Sequence, residues 1–118
     1  MPKLEKNIQA DIEIALGKYG RTFRTNAGMF YGGKKIHSDY YGQDILVNLR
    51  YIKGLPEGFS DLLYVGDNGK IAFIECKTLT GKKRKQQEVF INLMKSLGYA
   101  AGFVRSVEDA LELIKDEN

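Results

Sequence analysis

The 118 residues suffice for one hydrophobic core but not for two, so we expect a single domain over residues 1–118. A hydrophobic share of 43% and a charged share of 28% exclude a disordered chain, and the short apolar stretches exclude a transmembrane helix. Residues 1–105 hold 17 basic and 10 acidic side chains and the remainder is acidic, which favours a polyanionic partner over a membrane. One cysteine, Cys76, cannot form an internal disulfide, and the N-terminus lacks the apolar core of a signal peptide, so we expect an intracellular, cytoplasmic protein.

The first half of the chain predicts one helix and one strand, followed by a segment without a clear pattern. Apolar residues recur at helical spacing from Leu4 to Leu16. Alternation over residues 21–26 predicts a strand. Residues 28–58 hold six of the 13 glycines and one apolar run, Ile45–Leu49, which could be a strand or part of a loop.

A β-hairpin follows, and the length of its turn decides which side chains share a face. The two strands cover residues 60–65 and 70–77. A two-residue loop, Asp67–Asn68, would put Asp61 and Glu75 on different faces, whereas a three-residue loop through Gly69 puts them opposite each other. Because Gly69 supplies the left-handed residue that the longer loop requires, we predict the three-residue register.

A helix, a strand and a second helix complete the chain. Periodicity predicts a helix over residues 83–97, a buried strand over residues 100–105, and a last helix over residues 106–115 that Ser106 caps. The residues expected to face inward on the first of these helices are Val89, Phe90, Leu93, Met94 and Leu97. The order α-β-β-β-α-β-α predicts an α/β fold, with a mixed sheet of about four strands flanked by helices on both faces.

Two carboxylates and a lysine make the hairpin a candidate catalytic site. In the predicted register the Cβ atoms of Asp61 and Glu75 lie about 4.5–5.5 Å apart, and Lys77 projects from the same face as Glu75. Like charges so placed repel each other unless one acid keeps its proton or a divalent cation binds both. Oxygen ligands favour magnesium, manganese or calcium, and a lysine that orients or deprotonates a water would complete a phosphodiester hydrolase. The spacing is equally compatible with a strand-start aspartate beside a solvent-facing ion pair between Glu75 and Lys77.

Six segments carry a family resemblance that covers nearly the whole chain. They are Glu5-Lys-Asn-Ile-Gln9, Arg24-Thr-Asn-Ala-Gly28, Gly58-Phe-Ser-Asp-Leu62, Ile74-Glu-Cys-Lys77, the residues from Gly81 through Gln87 with Phe90, and Leu97-Gly98. Together they resemble the VRR-NUC branch of the PD-(D/E)XK nuclease superfamily, in particular its small stand-alone phage and bacterial forms. The resemblance implies a restriction-endonuclease-like core.

The resemblance also implies a set of site residues. It implies that Asp61 and Glu75 bind Mg²⁺, for which Mn²⁺ could substitute, and that Lys77 assists the attacking water. Glu5, directly or through water, and the backbone carbonyl of Cys76 would be further ligands, and Gln87 would complete the catalytic set. We prefer Glu5 over its rival Glu13, and Gln87 over Gln86 because of its spacing to Phe90.

The implied activity is that of a structure-selective endonuclease on branched DNA such as four-way junctions, acting as a homodimer. The alternative is a module that keeps the fold and binds DNA without cutting it. Two departures from the family are Ser60, where the family has a proline, and Arg84, where relatives often have a serine ahead of the glutamine.

Two groups of basic residues are candidate DNA contacts. Lys82, Lys83, Arg84 and Lys85 stand at a predicted helix start, where positive charge opposes the helix dipole, so a phosphate contact is as plausible there as a solvated face. Lys34 and Lys35, near three tyrosines, could contact the DNA backbone or unpaired bases, although plain loop surface is the simpler interpretation.

Overall fold

This computed structural model describes residues 3–115, which contain three helices and six strands. In chain order they are α1 (Glu5–Leu16), β1 (Gly20–Arg24), β2 (Met29–Ser38), β3 (Gln43–Lys53), β4 (Leu62–Gly66), β5 (Ile71–Cys76), α2 (Lys85–Ser96), β6 (Ala100–Val104) and α3 (Val107–Ile114). Two acids of the C-terminal acidic segment, Asp116 and Glu117, lie outside the described residues. Within the described part, no helix is both long and apolar enough to cross a membrane.

The central sheet confirms the predicted α/β fold. Its four strands run in the order β1-β4-β5-β6; β5 and β6 are parallel and the other neighbours antiparallel. Alternate residues of β5, namely Ala72, Ile74 and Cys76, are buried on one face against α1 and α3. On the other face α2 packs through an aromatic cluster in which the rings of Phe73 and Phe90 lie 5.6 Å apart.

The inward face of α2 was predicted wrongly in part. Phe90 and Met94 are partly buried as expected, but Val89, Leu93 and Leu97 are exposed, and the fully buried residue is Ile91. Among the described strands, the helix packs mainly against β5 and β6, so the sheet covers a narrow part of its surface. The apolar face predicted from the sequence is wider than the face of α2 that packs on the sheet. The centres of the two faces differ by about one residue around the helix.

Residues 29–53, which lie in the segment without a clear sequence pattern, form a two-stranded antiparallel ribbon that we call the arm. β2 and β3 pair with each other from Met29↔Lys53 to Ser38↔Gln43 and belong to no larger sheet. The run Ile45–Leu49 is therefore part of a strand. The arm contributes to an elongated shape, with principal extents of 61 × 34 × 29 Å.

Candidate active site

The hairpin of β4 and β5 has the predicted three-residue register. Leu62 pairs with Ile74 and Val65 with Ile71, and the Gly66 N–H donates to the Lys70 carbonyl at 2.7 Å. Gly69 has φ +85°, the left-handed conformation that the three-residue loop requires. Continuing the ladder by one residue places Asp61 opposite Glu75.

Side chains replace backbone pairing at the open end of this hairpin. The Asp61 N–H donates to Glu75 Oε2 at 3.1 Å, and the Cys76 N–H donates to Asp61 Oδ2 at 3.0 Å. Each carboxylate is thereby fixed by the main chain of the opposite strand. The two acids meet on the α2 face, beyond the aromatic cluster.

Glu75 is a buried acid with a strongly perturbed pKa. Its side chain is only 1% exposed. Burial first, and then the negative charge of Asp61, raise its pKa to about 8, although the positive charge of Lys77 lowers it in part. In the absence of a cation, the structure therefore favours a protonated Glu75 at neutral pH. This is the electrostatic conflict that the sequence predicted for two facing acids.

Gln87, the glutamine preferred from the sequence, contacts Glu75 directly. Its Nε2 donates to Glu75 Oε1 at 2.8 Å, and its Oε1 accepts from the Arg84 N–H at 3.1 Å, at the start of α2. The side chain thus uses both its donor and its acceptor, which a glutamate at this position could not do. Gln86 turns instead toward Glu57, at 3.4 Å.

Lys77 is buried at the end of β5 and is not part of a surface ion pair. It is 6% exposed, and its backbone N–H donates to the Val104 carbonyl at 2.9 Å. Two residues beyond Glu75 along an extended chain, its side chain leaves from the same face. Among residues 3–115 it forms no salt bridge. The alternative of a solvent-facing pair between Glu75 and Lys77 is therefore wrong.

The acids of α1 lie farther from the centre of the site. Glu5 is exposed, whereas Gln9, one turn later, lines the cavity beside the hairpin. Glu5 is nevertheless near enough for its charge to contribute to the raised pKa of the Cys76 thiol, which burial chiefly causes. Glu13 is engaged elsewhere, because Arg24 Nε donates to its Oε1 at 2.7 Å.

A cavity of about 380 Å³ opens onto the two carboxylates. Its walls are Gln9, residues 24–28, residues 57–59, Asp61, Glu75, Arg84, Gln86 and Gln87. Arg24 and Arg84 bring positive charge to this wall. The sequence did not single out Arg24, Asn26 or Gln9 as site residues, although the segments that carry the family resemblance contain all three.

The basic run before α2 is divided between two surfaces. All four of its residues are exposed, but only Arg84 lines the cavity, and the Lys83 ammonium lies 4.7 Å from the centre of the Phe103 ring. Helix α2 begins at Lys85, two residues later than predicted. Lys34 and Lys35 lie in the middle of the arm, where Lys35 pairs with Asp44 at 3.3 Å.

Two side chains that the sequence analysis missed hold the segments around the site. Arg105 Nη1 donates to the carbonyls of Thr78 and Gly81, at 3.0 Å for the latter, and so fixes the loop between β5 and the basic run. Thr25 Oγ1 donates to the Ser60 carbonyl, which ties the residues after β1 to those before Asp61. Ser60, in place of the family's proline, is buried, and its hydroxyl donates to the Leu62 carbonyl at 3.1 Å.

Gly58 fixes the approach of α2 to the site. Its φ is +90°, and a Cβ there would lie 2.6 Å from the backbone oxygen of Gln86. We expect Gly58→Ala to destabilise the fold through left-handed strain of about 1–2 kcal/mol and, in addition, by displacing the helix start that carries Gln87.

The matched control for this prediction is Gly69→Ala. Gly69 also has a positive φ, +85°, but a Cβ there would meet no atom within 4 Å. Thermal unfolding should show a larger loss for Gly58→Ala than for Gly69→Ala. Equal losses would mean that the contact with α2 is unimportant.

The donor set at the hairpin fits a small, hard cation. Asp61 Oδ2 and each Glu75 oxygen accept one hydrogen bond from an N–H group of the described residues, which leaves lone pairs for a metal. The Cys76 carbonyl points toward Asp61, because the N–H and C=O of a residue in a strand leave from the same side. Residues 3–115 contain no cluster of three or more histidine, cysteine or acidic side chains arranged for a metal. Two carboxylates with water and substrate oxygens suit Mg²⁺, which keeps much of its hydration.

Comparison with known proteins agrees with the fold. No curated protein matches the sequence significantly. A family model, the VRR-NUC domain, matches residues 5–108, a stretch that runs from the first residue of α1 into α3. The chain therefore belongs to the VRR-NUC family of nuclease-type domains.

Proposed function

We propose that this chain is a magnesium-dependent DNA endonuclease that hydrolyses phosphodiester bonds at the open end of the β4–β5 hairpin. The observation that carries the proposal is the pair of carboxylates, Asp61 and Glu75, held together by main-chain hydrogen bonds beside the buried Lys77. Membership in a nuclease-type family supports the same chemistry.

Asp61 and Glu75 would hold the metal, with the Cys76 carbonyl and, through water, Glu5 as further oxygen donors. When bound, magnesium would supply Lewis-acid stabilisation of the negative charge that develops on the phosphate. Mn²⁺, which accepts the same oxygen ligands, should substitute. The raised pKa of Glu75, caused by burial and then by the charge of Asp61, supports this role, because a cation bound between the two acids would offset both effects.

Lys77 would position the attacking water or take its proton. Its side chain leaves from the same face as Glu75 and has no ion-pair partner in the described residues, although Lys77 is buried and is not among the residues that line the cavity. Gln87 would act through Glu75 and hold the carboxylate in place by its hydrogen bond at 2.8 Å. The amide of Gln87 is itself held by the start of α2.

Arg84 is the best-placed residue of the basic run for a phosphate contact. It lines the cavity at the position where relatives often have serine. Its guanidinium could form two charged hydrogen bonds with a phosphate, whereas a serine hydroxyl would donate one neutral hydrogen bond. Lys82, Lys83 and Lys85 extend the positive surface away from the cavity and would contact the backbone farther along the DNA. We further propose branched DNA such as a four-way junction as the substrate, bound by a homodimer that would match its two-fold symmetry.

The test is incubation with labelled duplex, flap and four-way DNA, in magnesium or in chelator. We expect cutting in magnesium and in manganese, no cutting in chelator, and the highest rate on branched DNA. Asp61→Asn should bind the same DNA without cutting it. Binding by the wild-type chain without cutting in either metal would instead establish a DNA-binding module.

We also propose that the enzyme acts in the cytoplasm, where the single buried thiol stays reduced.

A further inference from the structure

The tip of the arm exposes two neighbouring tyrosines. Tyr40 is 89% exposed, the largest value for any large apolar side chain in the described residues, and Tyr41 is 65% exposed. Their rings pack edge to face with centres 4.9 Å apart. Leaving two aromatic rings in water forgoes the burial that usually stabilises them, so their position at a tip indicates a binding role.

The turn that carries these rings is well defined. The Gly42 N–H donates to the Ser38 carbonyl at 2.9 Å, and the Tyr41 N–H donates to Ser38 Oγ at 3.2 Å. Gly42 has φ +65°, which closes the turn. The tyrosines therefore stand on an ordered turn.

The arm supports itself through its own cross-strand pairs. Phe30 pairs with Ile52 and Ile36 with Ile45 on one face, and on the other face the rings of Tyr31 and Tyr51 lie 5.2 Å apart. Such pairs are the unit of stability in a ribbon that no third strand covers. These apolar residues of the arm thus have partners within it, whereas the two tip rings extend beyond the paired strands.

Both connections of the arm form part of the wall of the candidate active site. The Gly28 N–H donates to the Leu55 carbonyl and the Gly54 N–H to the Gly28 carbonyl, each at 3.0 Å, which closes the base of the ribbon. Residues 26–28 and 57–58, directly beyond this base, line the cavity. A ligand bound at the tip is therefore held at a set distance from the carboxylates.

Charge and shape favour nucleic acid as the ligand. The arm holds four basic side chains, Lys34, Lys35, Arg50 and Lys53, against two acids, Asp39 and Asp44. Asp44 is already paired with Lys35 and with His37. A two-stranded ribbon fits the major groove of DNA, and exposed aromatic rings stack on bases of any sequence.

We infer that Tyr40 and Tyr41 form a binding site for unpaired nucleobases and that the arm sets the distance from those bases to the cleaved phosphate. This inference rests on the proposed nuclease function. Ten residues of β2 span about 33 Å, or on the order of ten base pairs of DNA. DNA should be cut about that far from a gap or bulge.

The binding site is tested with duplex DNA that carries 2-aminopurine in a short single-stranded gap, in chelator so that the DNA stays intact. Wild-type protein should quench the fluorescence by stacking. The double variant Tyr40→Ala, Tyr41→Ala should lose most of the quenching and about tenfold in affinity for gapped DNA, with affinity for paired duplex unchanged. The double variant with phenylalanine at both positions should behave like wild type, because stacking needs the ring and not the hydroxyl.

The distance is tested by removing two cross-strand pairs, Lys35↔Leu46 and Ile36↔Ile45, which keeps the alternation of both strands. The arm then shortens by about 7 Å, and the cut should move toward the gap by about two base pairs. An unchanged cut position would overturn the distance function. The proposed base-binding site would be overturned if the alanine double variant quenched the fluorescence and bound gapped DNA as wild type does. It would also be overturned if that variant changed its oligomeric state and bound DNA with unchanged affinity.

Failure of the proposed nuclease function is a separate result. If wild-type protein cuts no DNA in magnesium, the proposed nuclease function is wrong. The fluorescence experiment contains no magnesium and still decides whether the tip binds bases. Tyr19→Ala, which removes an exposed ring on the body of the molecule, controls for general loss of aromatic surface and should change neither readout.

Discussion

Replacement of Lys77 by methionine should abolish DNA cleavage and leave the fold intact. Lys77 is buried and has no ion-pair partner in residues 3–115, so the substitution breaks no described salt bridge. Methionine has a similar length and fills the buried space that alanine would leave empty. A group that transfers or positions a proton contributes about 10²–10⁴-fold to a rate, and we expect a loss of that size.

The measurement is single-turnover cleavage of labelled DNA in magnesium, together with thermal unfolding and DNA binding in chelator. Lys18→Met is the control, because Lys18 lies beside Tyr19 and Asp67, away from the cavity. It should cut at the wild-type rate. A Lys77→Met protein that unfolds normally and still cuts at that rate would remove Lys77 from the proposed mechanism.

The centre of the site could be predicted because local chemistry determines it. One glycine, Gly69, distinguishes the three-residue loop from the two-residue loop, and that choice alone decides whether Asp61 and Glu75 share a face. The burial of Glu75 was not predicted, because the spacing also allowed a solvent-facing pair with Lys77. The hydrogen bonds from main chain to carboxylate could not be predicted, because they form where the ladder ends and the chain bends.

The arm could not be recognised from its pattern. Sequence alternation reports which face of a strand is buried by a core, and in the arm both faces are largely solvent-exposed. Its cross-strand pairs place apolar residues on both faces, so no alternation results. A register shift between Gly32 and Lys34 and the left-handed Asn48 interrupt the strands further.

Contacts between distant segments account for the remaining differences. Glu5 and Gln9 are one turn apart on the same helical face, so spacing does not decide which of them reaches the cavity. The pairing of Glu13 with Arg24 removes a rival acid but joins two elements whose packing the sequence does not give. Likewise, which apolar residues of α2 remain exposed depends on how many strands the helix packs against, and the sequence does not give that number.

Glu75→Gln should abolish cutting and also change how stability depends on pH. The pKa of Glu75 in the folded protein is raised to about 8 by burial and then by Asp61, whereas the unfolded value is near 4.5. Between these two values the folded protein holds a proton that the unfolded chain releases. The metal-free protein should therefore lose stability as pH rises from about 4.5 to about 8, and the glutamine variant should lose most of this slope.

Magnesium should reverse the trend in the wild-type protein. Because it competes with the proton for Glu75, the increase in melting temperature that magnesium produces should be larger at pH 8 than at pH 5.5. In Glu75→Gln this increase should largely disappear, and cleavage should fall by at least about 100-fold, since even outer partners of metal ligands are worth about 10–100-fold.

Glu57→Gln separates the effect of this buried acid from that of any acid in the cavity. Glu57 lines the same cavity but is exposed, and its side chain contacts Gln86 at 3.4 Å. It should keep both the pH slope of the metal-free protein and the stabilisation by magnesium. If magnesium still raised the melting temperature of Glu75→Gln, the metal would have to bind without Glu75. In the wild-type protein the carboxylates of Asp61 and Glu75 would then share a proton and not a metal ion.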